Sequence, residues 1–133
     1  MQPTDLAGFA QRYADAWCSQ NPASVAAFFS PDGSLKVNDA PPAVGRKAIT
    51  EEAQGFMTAF PDMRVSFDKL GQDGERVLFH WTLTGTNTGP GGSGQKVRIS
   101  GHESWRFGPD RLVAESLGHF DAAEYARQLA HGV

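Results

Sequence analysis

Between Arg76 and Asp121 the chain alternates apolar and polar residues over three long runs, with turn residues between them. Alternation with a period of two marks strands that bury one face. Arg76 to Asn87 puts Val77, Phe79, Trp81 and Leu83 on one side and His80, Thr82, Thr84 and Thr86 on the other. Lys96 to Phe107 does the same, with Val97, Ile99, Gly101, Glu103, Trp105 and Phe107 opposite Arg98, Ser100, His102, Ser104 and Arg106. Gly89 to Gln95 (GPGGSGQ) forms a flexible hairpin loop, and Gly108-Pro109-Asp110 turns into the last run. These runs predict an antiparallel meander of long strands whose apolar side other elements must cover.

The third run, RLVAESLGHFD from Arg111 to Asp121, is the most informative. Its odd positions place Val113, Glu115, Leu117, His119 and Asp121 on one face. A plain core strand rarely mixes apolar residues with two carboxylates and an imidazole. If that face lines a cavity, the chain holds a small-molecule site with Asp121 as its acid/base. Asp121-Ala122-Ala123-Glu124 also reads as a capping box for a short closing helix from Ala122 to Ala130.

Upstream the period changes to that of helices. Thr4 or Asp5 caps a first helix in which Leu6, Phe9, Ala10, Tyr13, Ala16 and Trp17 form one apolar stripe. Asn21-Pro22 opens a short second helix reaching Phe28-Phe29, and Ser30 to Gly33 reads as a turn. Ser34 to Asn38 is a short strand, and Asp39 to Pro42 a loop. A third helix runs from Arg46 to about Phe60, burying Ile49, Ala53, Phe56, Met57 and Phe60, and Pro61 stops it. Met63 to Leu70 is a strand, and Gln72 to Glu75 a hairpin turn. Helices gathered before strands give an α+β class, with helices on one face of a curved sheet and a cone-shaped interior suited to a ligand.

At 133 residues the chain makes one domain spanning 1–133. A net charge of −3 without any Lys/Arg run argues against nucleic acid. No apolar run is long enough to span a membrane. A single cysteine, Cys18, rules out an internal disulfide and fits a reducing compartment. The opening MQPTDLAGFAQRYADAW lacks the basic start of a secretory signal, so a cytoplasmic protein is expected.

Four segments carry a family resemblance: FAQRYADAWCSQNPASVAAFFSPDGSLKV, VGRKAITEEAQGFMTAFPDM, WTLTGTNTG with the glycine loop and GQKVRISG, and WRFGPDRLVAESLGHFDAAEYARQL. Together they cover nearly the whole chain, which resembles the SnoaL-like polyketide cyclases of the nuclear transport factor 2-like superfamily. The resemblance implies a cone-shaped curved antiparallel sheet against three N-terminal helices, with a short C-terminal helix. It implies cofactor-independent aldol-type or isomerisation chemistry on a hydrophobic carbonyl compound, with the aspartate closing the last strand as acid/base. It also implies a homodimer joined through the sheet. Two positions depart from the family pattern: Asn87 stands where histidine is common, and Leu117 where tryptophan is favoured. They point to a related pocket tuned to another substrate. The superfamily also hosts epoxide hydrolases and non-enzymatic binders, so both remain alternatives.

The expected catalytic group is therefore Asp121 with His119 and Glu103. His119 is placed to orient the carboxylate or donate to an oxyanion, or it is an interior hydrogen-bonded histidine. Glu103 falls between Gly101 and Trp105 on an apolar face, where a carboxylate is costly unless used or paired; a bulge turning it outward is the other reading. The expected pocket wall is Trp17, Asn38, Phe56, Phe60, Trp81, Asn87, Trp105, Glu115 and Leu117. Its aromatics favour a flat ring-containing ligand or simply fill the core. Asn87 doubles as a turn residue, and Glu115 as a rim residue. No cofactor is expected. No metal is expected either, because His80 and His102 fall on the far faces and His119-Phe120-Asp121 offers too few ligands.

Overall fold

A computed structural model describes residues 2–133. Four helices and six strands follow one another as α1 (Leu6–Trp17), α2 (Pro22–Ala26), β1 (Phe29–Val37), β2 (Ala43–Val44), α3 (Arg46–Ala59), β3 (Arg64–Asp73), β4 (Arg76–Thr86), β5 (Lys96–Phe107), β6 (Val113–Phe120) and α4 (Ala122–His131). The strands form one sheet in the order β2-β1-β6-β5-β4-β3. All neighbours are antiparallel except β1 beside β6, which are parallel. That pairing is possible because the whole meander intervenes between the two strands. The expected α+β architecture, with a curved sheet covered by helices, is the one observed.

Local chemistry explains the helix ends. Asp5 Oδ1 accepts the Gly8 N–H at 3.0 Å and starts α1. Pro22 occupies the first turn of α2 after Asn21. Gly45, at φ 89°, makes the entry to α3. The stripe on α1 buries Phe9, Ala10, Tyr13, Ala14 and Trp17 against the sheet. Tyr13 is central, with ring centroids 5.2 Å from Trp105 and 5.4 Å from Phe79. α4 closes the other end. Its buried Gln128 accepts the Arg98 N–H at 2.6 Å and donates to the Arg98 carbonyl at 2.9 Å, completing the part of β5 beyond the reach of β6.

α2 stops at Ala26, short of the expected Phe28-Phe29, and β3 runs on to Asp73, past the expected Leu70; two further readings need correction. Ser30 to Gly33 is not a free turn; it is the irregular start of β1, whose register shifts between Phe29 and Ser34. The second correction decides the site. Arg106 pairs with Glu115 but Phe107 pairs with Val113, so Ala114 is an extra residue, a β-bulge, on β6. The bulge inverts the alternation. Val113 faces in, but beyond it Ser116, Gly118 and Phe120 share the inner face with Trp105, Glu103 and Gly101 opposite them. Glu115, Leu117 and His119 face out. The expected interior face of Val113, Glu115, Leu117, His119 and Asp121 is therefore not formed.

Candidate functional site

A cavity opens between the inner face of the sheet and helices α1, α3 and α4. With its open mouth it spans about 620 Å³ not filled by protein atoms, solvent outside the walls included. Trp17 and Phe56 form the helix-side wall, Val65, Phe79 and Trp81 the sheet side, and Phe120 with Tyr125 stands where β6 passes into α4. No lysine, arginine or histidine is among the lining residues, and Glu103 is the one acid.

Glu103 is 7% exposed. Ser116 Oγ donates to its Oε1 at 2.7 Å, and Trp105 Nε1 does so at 3.0 Å. The Tyr13 hydroxyl is shared between Oε1 at 2.9 Å and Oε2 at 3.1 Å. Oε1 thus takes three neutral donors, and Oε2 keeps only the longer branch from Tyr13. Burial raises the Glu103 pKa, against the lowering by its Ser116, Trp105 and Tyr13 hydrogen bonds. No cation is among the groups acting on it. Burial also pushes the Tyr13 hydroxyl well above its usual pKa, and the Glu103 charge pushes the same way, so Tyr13 stays a proton donor. A carboxyl in this setting is oriented, dry and poised to gain or lose a proton nearer neutrality than an ordinary glutamate.

The other residues expected at a site divide in two. Trp17, Phe56, Trp81 and Glu103 come together around the cavity. Trp105 lies behind it, fully buried, with its indole N–H on Glu103. Phe60 is also fully buried and packs near Tyr125, with centroids 6.4 Å apart, outside the lining.

Asn38 sits at φ 50° and accepts the Phe120 N–H at 3.0 Å, which makes it a turn residue holding the end of β6. Asn87 donates to the Ala59 carbonyl at 3.1 Å and accepts the Ser93 N–H at 2.8 Å, pinning the glycine loop to the end of α3. Glu115 pairs with Arg76 at 2.8 Å on the outer face, and Leu117 faces out beside it. His119 is exposed and joins His102 and His80 in one cross-strand row, with ring centroids 5.1 and 5.6 Å apart. Burial lowers the His102 pKa, and its two histidine neighbours lower it further. Asp121 is exposed and accepts the Glu124 N–H at 3.0 Å, the first half of the capping box. The return half is absent, because the Glu124 carboxylate binds Arg127 and Gln128 instead.

Sequence reasoning passed over Tyr13 and Ser116, the two hydroxyls that hold Glu103. Tyr13 carried a usable signal, being the one hydroxyl-bearing member of an otherwise apolar helical stripe. Ser116 carried none, since the bulge beside it inverts the face on which it is counted.

The sequence model of the SnoaL-like polyketide cyclase family matches residues 7–129. No curated protein matches the chain. Among solved structures it is similar to a protein assigned as a SnoaL-like polyketide cyclase from a Jannaschia species, with 18% identity over 96% of this chain and 92% of that one and a TM-score of 0.81. A protein of ketosteroid isomerase-like fold from Catenulispora acidiphila, solved with trimethylamine, gives a TM-score of 0.79 at 16% identity, covering 96% of this chain and 93% of that one. AclR from Streptomyces galilaeus, assigned as a hydroxylase, gives 0.75 at 23% identity, covering 92% and 93%. At such identities the likeness establishes a shared fold. No helix among the described residues is long and apolar enough to cross a membrane.

Proposed function

Because the chain belongs to the SnoaL-like polyketide cyclase family, we propose that it is a cofactor-independent acid/base enzyme acting on a hydrophobic carbonyl compound, with Glu103 as the group that moves the proton. One observation carries this reading: a single acid lines the cavity, buried, held by neutral donors and free of any counter-cation. The ionised Glu103 takes a proton from a carbon next to the substrate carbonyl, and the bonding pair becomes an enolate. The enolate carbon then either attacks a second carbonyl, forming a carbon–carbon bond and an alkoxide, or is reprotonated at another position. The protonated Glu103 returns its proton to that alkoxide or carbon, which restores the starting enzyme. Tyr13, Ser116 and Trp105 fix the carboxyl through Oε1, which leaves Oε2 the better placed oxygen for the transfer. Apolar walls exclude water and raise the basicity of the anion.

An epoxide-opening site with an arginine between two carboxylates is not formed at Glu103, because Arg76 binds Glu115 on the outer face. The proposal extends to a homodimer joined through the outer face of the sheet, the arrangement expected of the family; sedimentation velocity tests that separately.

The catalytic test is solvent deuterium uptake at C1 of 2-tetralone, followed by proton NMR. The wild-type protein is expected to accelerate uptake, and Glu103→Gln to reduce the acceleration at least about 100-fold, the scale of a lost general base. Binding of 2-tetralone without accelerated exchange would instead assign the cavity to a non-catalytic ligand-binding module.

A further inference from the structure

The bulge at Ala114, which turns His119 outward, sets it beside the histidines of the two preceding strands. His80 on β4 stands directly opposite His102 on β5, and His102 directly opposite His119 on β6. Three of the chain's four histidines thus form one row across three strands. Ring centroids are 5.1 Å apart between His102 and His119, and 5.6 Å apart between His102 and His80. His119 is exposed, and His80 and His102 are partly exposed, so the row is open to solvent. No hydrogen bond from another described residue occupies any of the three rings.

These separations suit metal ligation. A tetrahedral Zn²⁺ holds each imidazole nitrogen at about 2.0–2.1 Å, which puts the ring centres of two ligands roughly 5 Å apart. His102 and His119 already have that spacing. Neighbouring charges on the outer face decide which pair is used. Lys69 on β3 stands opposite His80, and its positive charge disfavours a cation at that end of the row. The outer-face carboxylates are engaged elsewhere: Asp68 accepts from Ser66 at 2.8 Å and from Thr82 at 2.6 Å, and Glu115 binds Arg76 at 2.8 Å. No group of three or more histidine, cysteine, aspartate or glutamate side chains among the described residues is arranged to hold a metal ion. The protein therefore offers two ligands and leaves the other positions to water.

We propose that His102 and His119 form a two-imidazole site for a borderline divalent transition metal, with Zn²⁺ as its reference ion. Imidazole nitrogen suits zinc, nickel and copper, whereas magnesium and calcium prefer oxygen ligands. Neither ring has a carboxylate or carbonyl behind it to fix its orientation, so the metal is held weakly and exchanges readily. The site lies across the sheet from Glu103, which faces the cavity, and does not rest on the catalytic reading. Ring stacking alone does not account for the row, because the interplanar angles of 40° and 45° are those of tilted rings.

The test uses the untagged whole protein with ¹⁵N-labelled histidine, titrated at neutral pH with zinc chloride and, separately, with magnesium chloride. Ring-nitrogen signals are assigned with His102→Gln, His119→Gln and His131→Gln, and circular dichroism checks that each variant keeps its fold. The expected result is movement of the His102 and His119 ring nitrogens with Zn²⁺, none at His131, and no response to Mg²⁺. Isothermal titration calorimetry is expected to give one Zn²⁺ per chain. His102→Gln and His119→Gln should each weaken binding at least about tenfold, no less than the loss of an outer-shell partner costs a metal site. His131→Gln, in the last turn of α4, leaves it unchanged. Unmoved His102 and His119 signals at excess Zn²⁺ overturn the proposal, as do undiminished binding by His102→Gln and an equal response to Mg²⁺. Movement of His80 in place of His119 overturns the pairing. The row shares the outer face with the proposed homodimer, so one Zn²⁺ per two chains also overturns a site held within one chain.

Discussion

The floor of the cavity and the start of α4 each present a carboxylate at a position where the fold changes direction, and the two have opposite surroundings. Glu103 is buried, bonded by neutral side chains, and has its pKa raised by desolvation. Asp121 is exposed and accepts a backbone N–H from the first turn of α4. Asp121 is thus engaged as a helix cap, away from the residues that line the cavity. At Glu103 the lost hydration is only partly offset by hydrogen bonds, so the neutral and ionised forms come closer in energy. An acid useful for moving protons is thus made by burial without a cation, and a cap is made by exposure beside a helix end.

The largest effect should come from the residue that sets this contrast. Deleting Ala114 removes the bulge and leaves Val113 inward and Glu115, Leu117 and His119 outward, but it shortens β6 against β1; circular dichroism on heating is expected to show the largest fall in melting midpoint of the variants named here. Next comes the direct exchange of roles. Glu103→Gln should slow deuterium uptake by at least about 100-fold, whereas Asp121→Asn leaves it unchanged. The opposite pattern would move the acid/base to α4.

The pH dependence sharpens the same contrast. Glu103 holds its proton in the folded state at pH values where the unfolded chain has released it, so the native state binds more protons there. Stability then falls as pH rises from the ordinary glutamate range through the raised folded pKa, and the catalysed exchange rises over the same interval as the base forms. Ser116→Ala removes a donor that favours the anion. It should shift the exchange profile to higher pH and cost about 1–3 kcal/mol by urea denaturation.

At the cap, Asp121→Ala should cost about 1 kcal/mol by the same measurement, with no change in exchange. Smallest of all, Glu115→Gln breaks the partly exposed pair with Arg76 for about 0–1 kcal/mol, less at high salt.

The His80–His102–His119 row shows how much of the fold was legible and where legibility ended. The alternation of β4 and β5 put His80 and His102 on the outer face correctly, because these strands pair without interruption from Val77–Trp105 to Thr86–Lys96. The same rule applied to β6 put His119 inside. It failed there for one residue's worth of backbone, and the failure carried Glu115, Leu117 and Asp121 with it. Trp17, Phe56, Trp81 and Glu103 were found at the cavity because each lies on an element whose period runs unbroken. Asn38 and Asn87 were misjudged for another reason. A polar side chain at a strand end bonds the nearest free backbone group, and which group that is depends on segments far away in sequence.

By itself the sequence determined the α+β class, the helix caps, the faces of the two longest strands and the presence of one carboxylate on an apolar face. These follow from periodicity and short-range hydrogen bonding, which a linear chain already contains. Only the tertiary structure decided which carboxylate became the buried one. The bulge at Ala114 arises where β6 must pair with β5 on one side and with β1 on the other, and Glu103 becomes a dry acid only once Tyr13, Trp105 and Ser116, from three different elements, close around it.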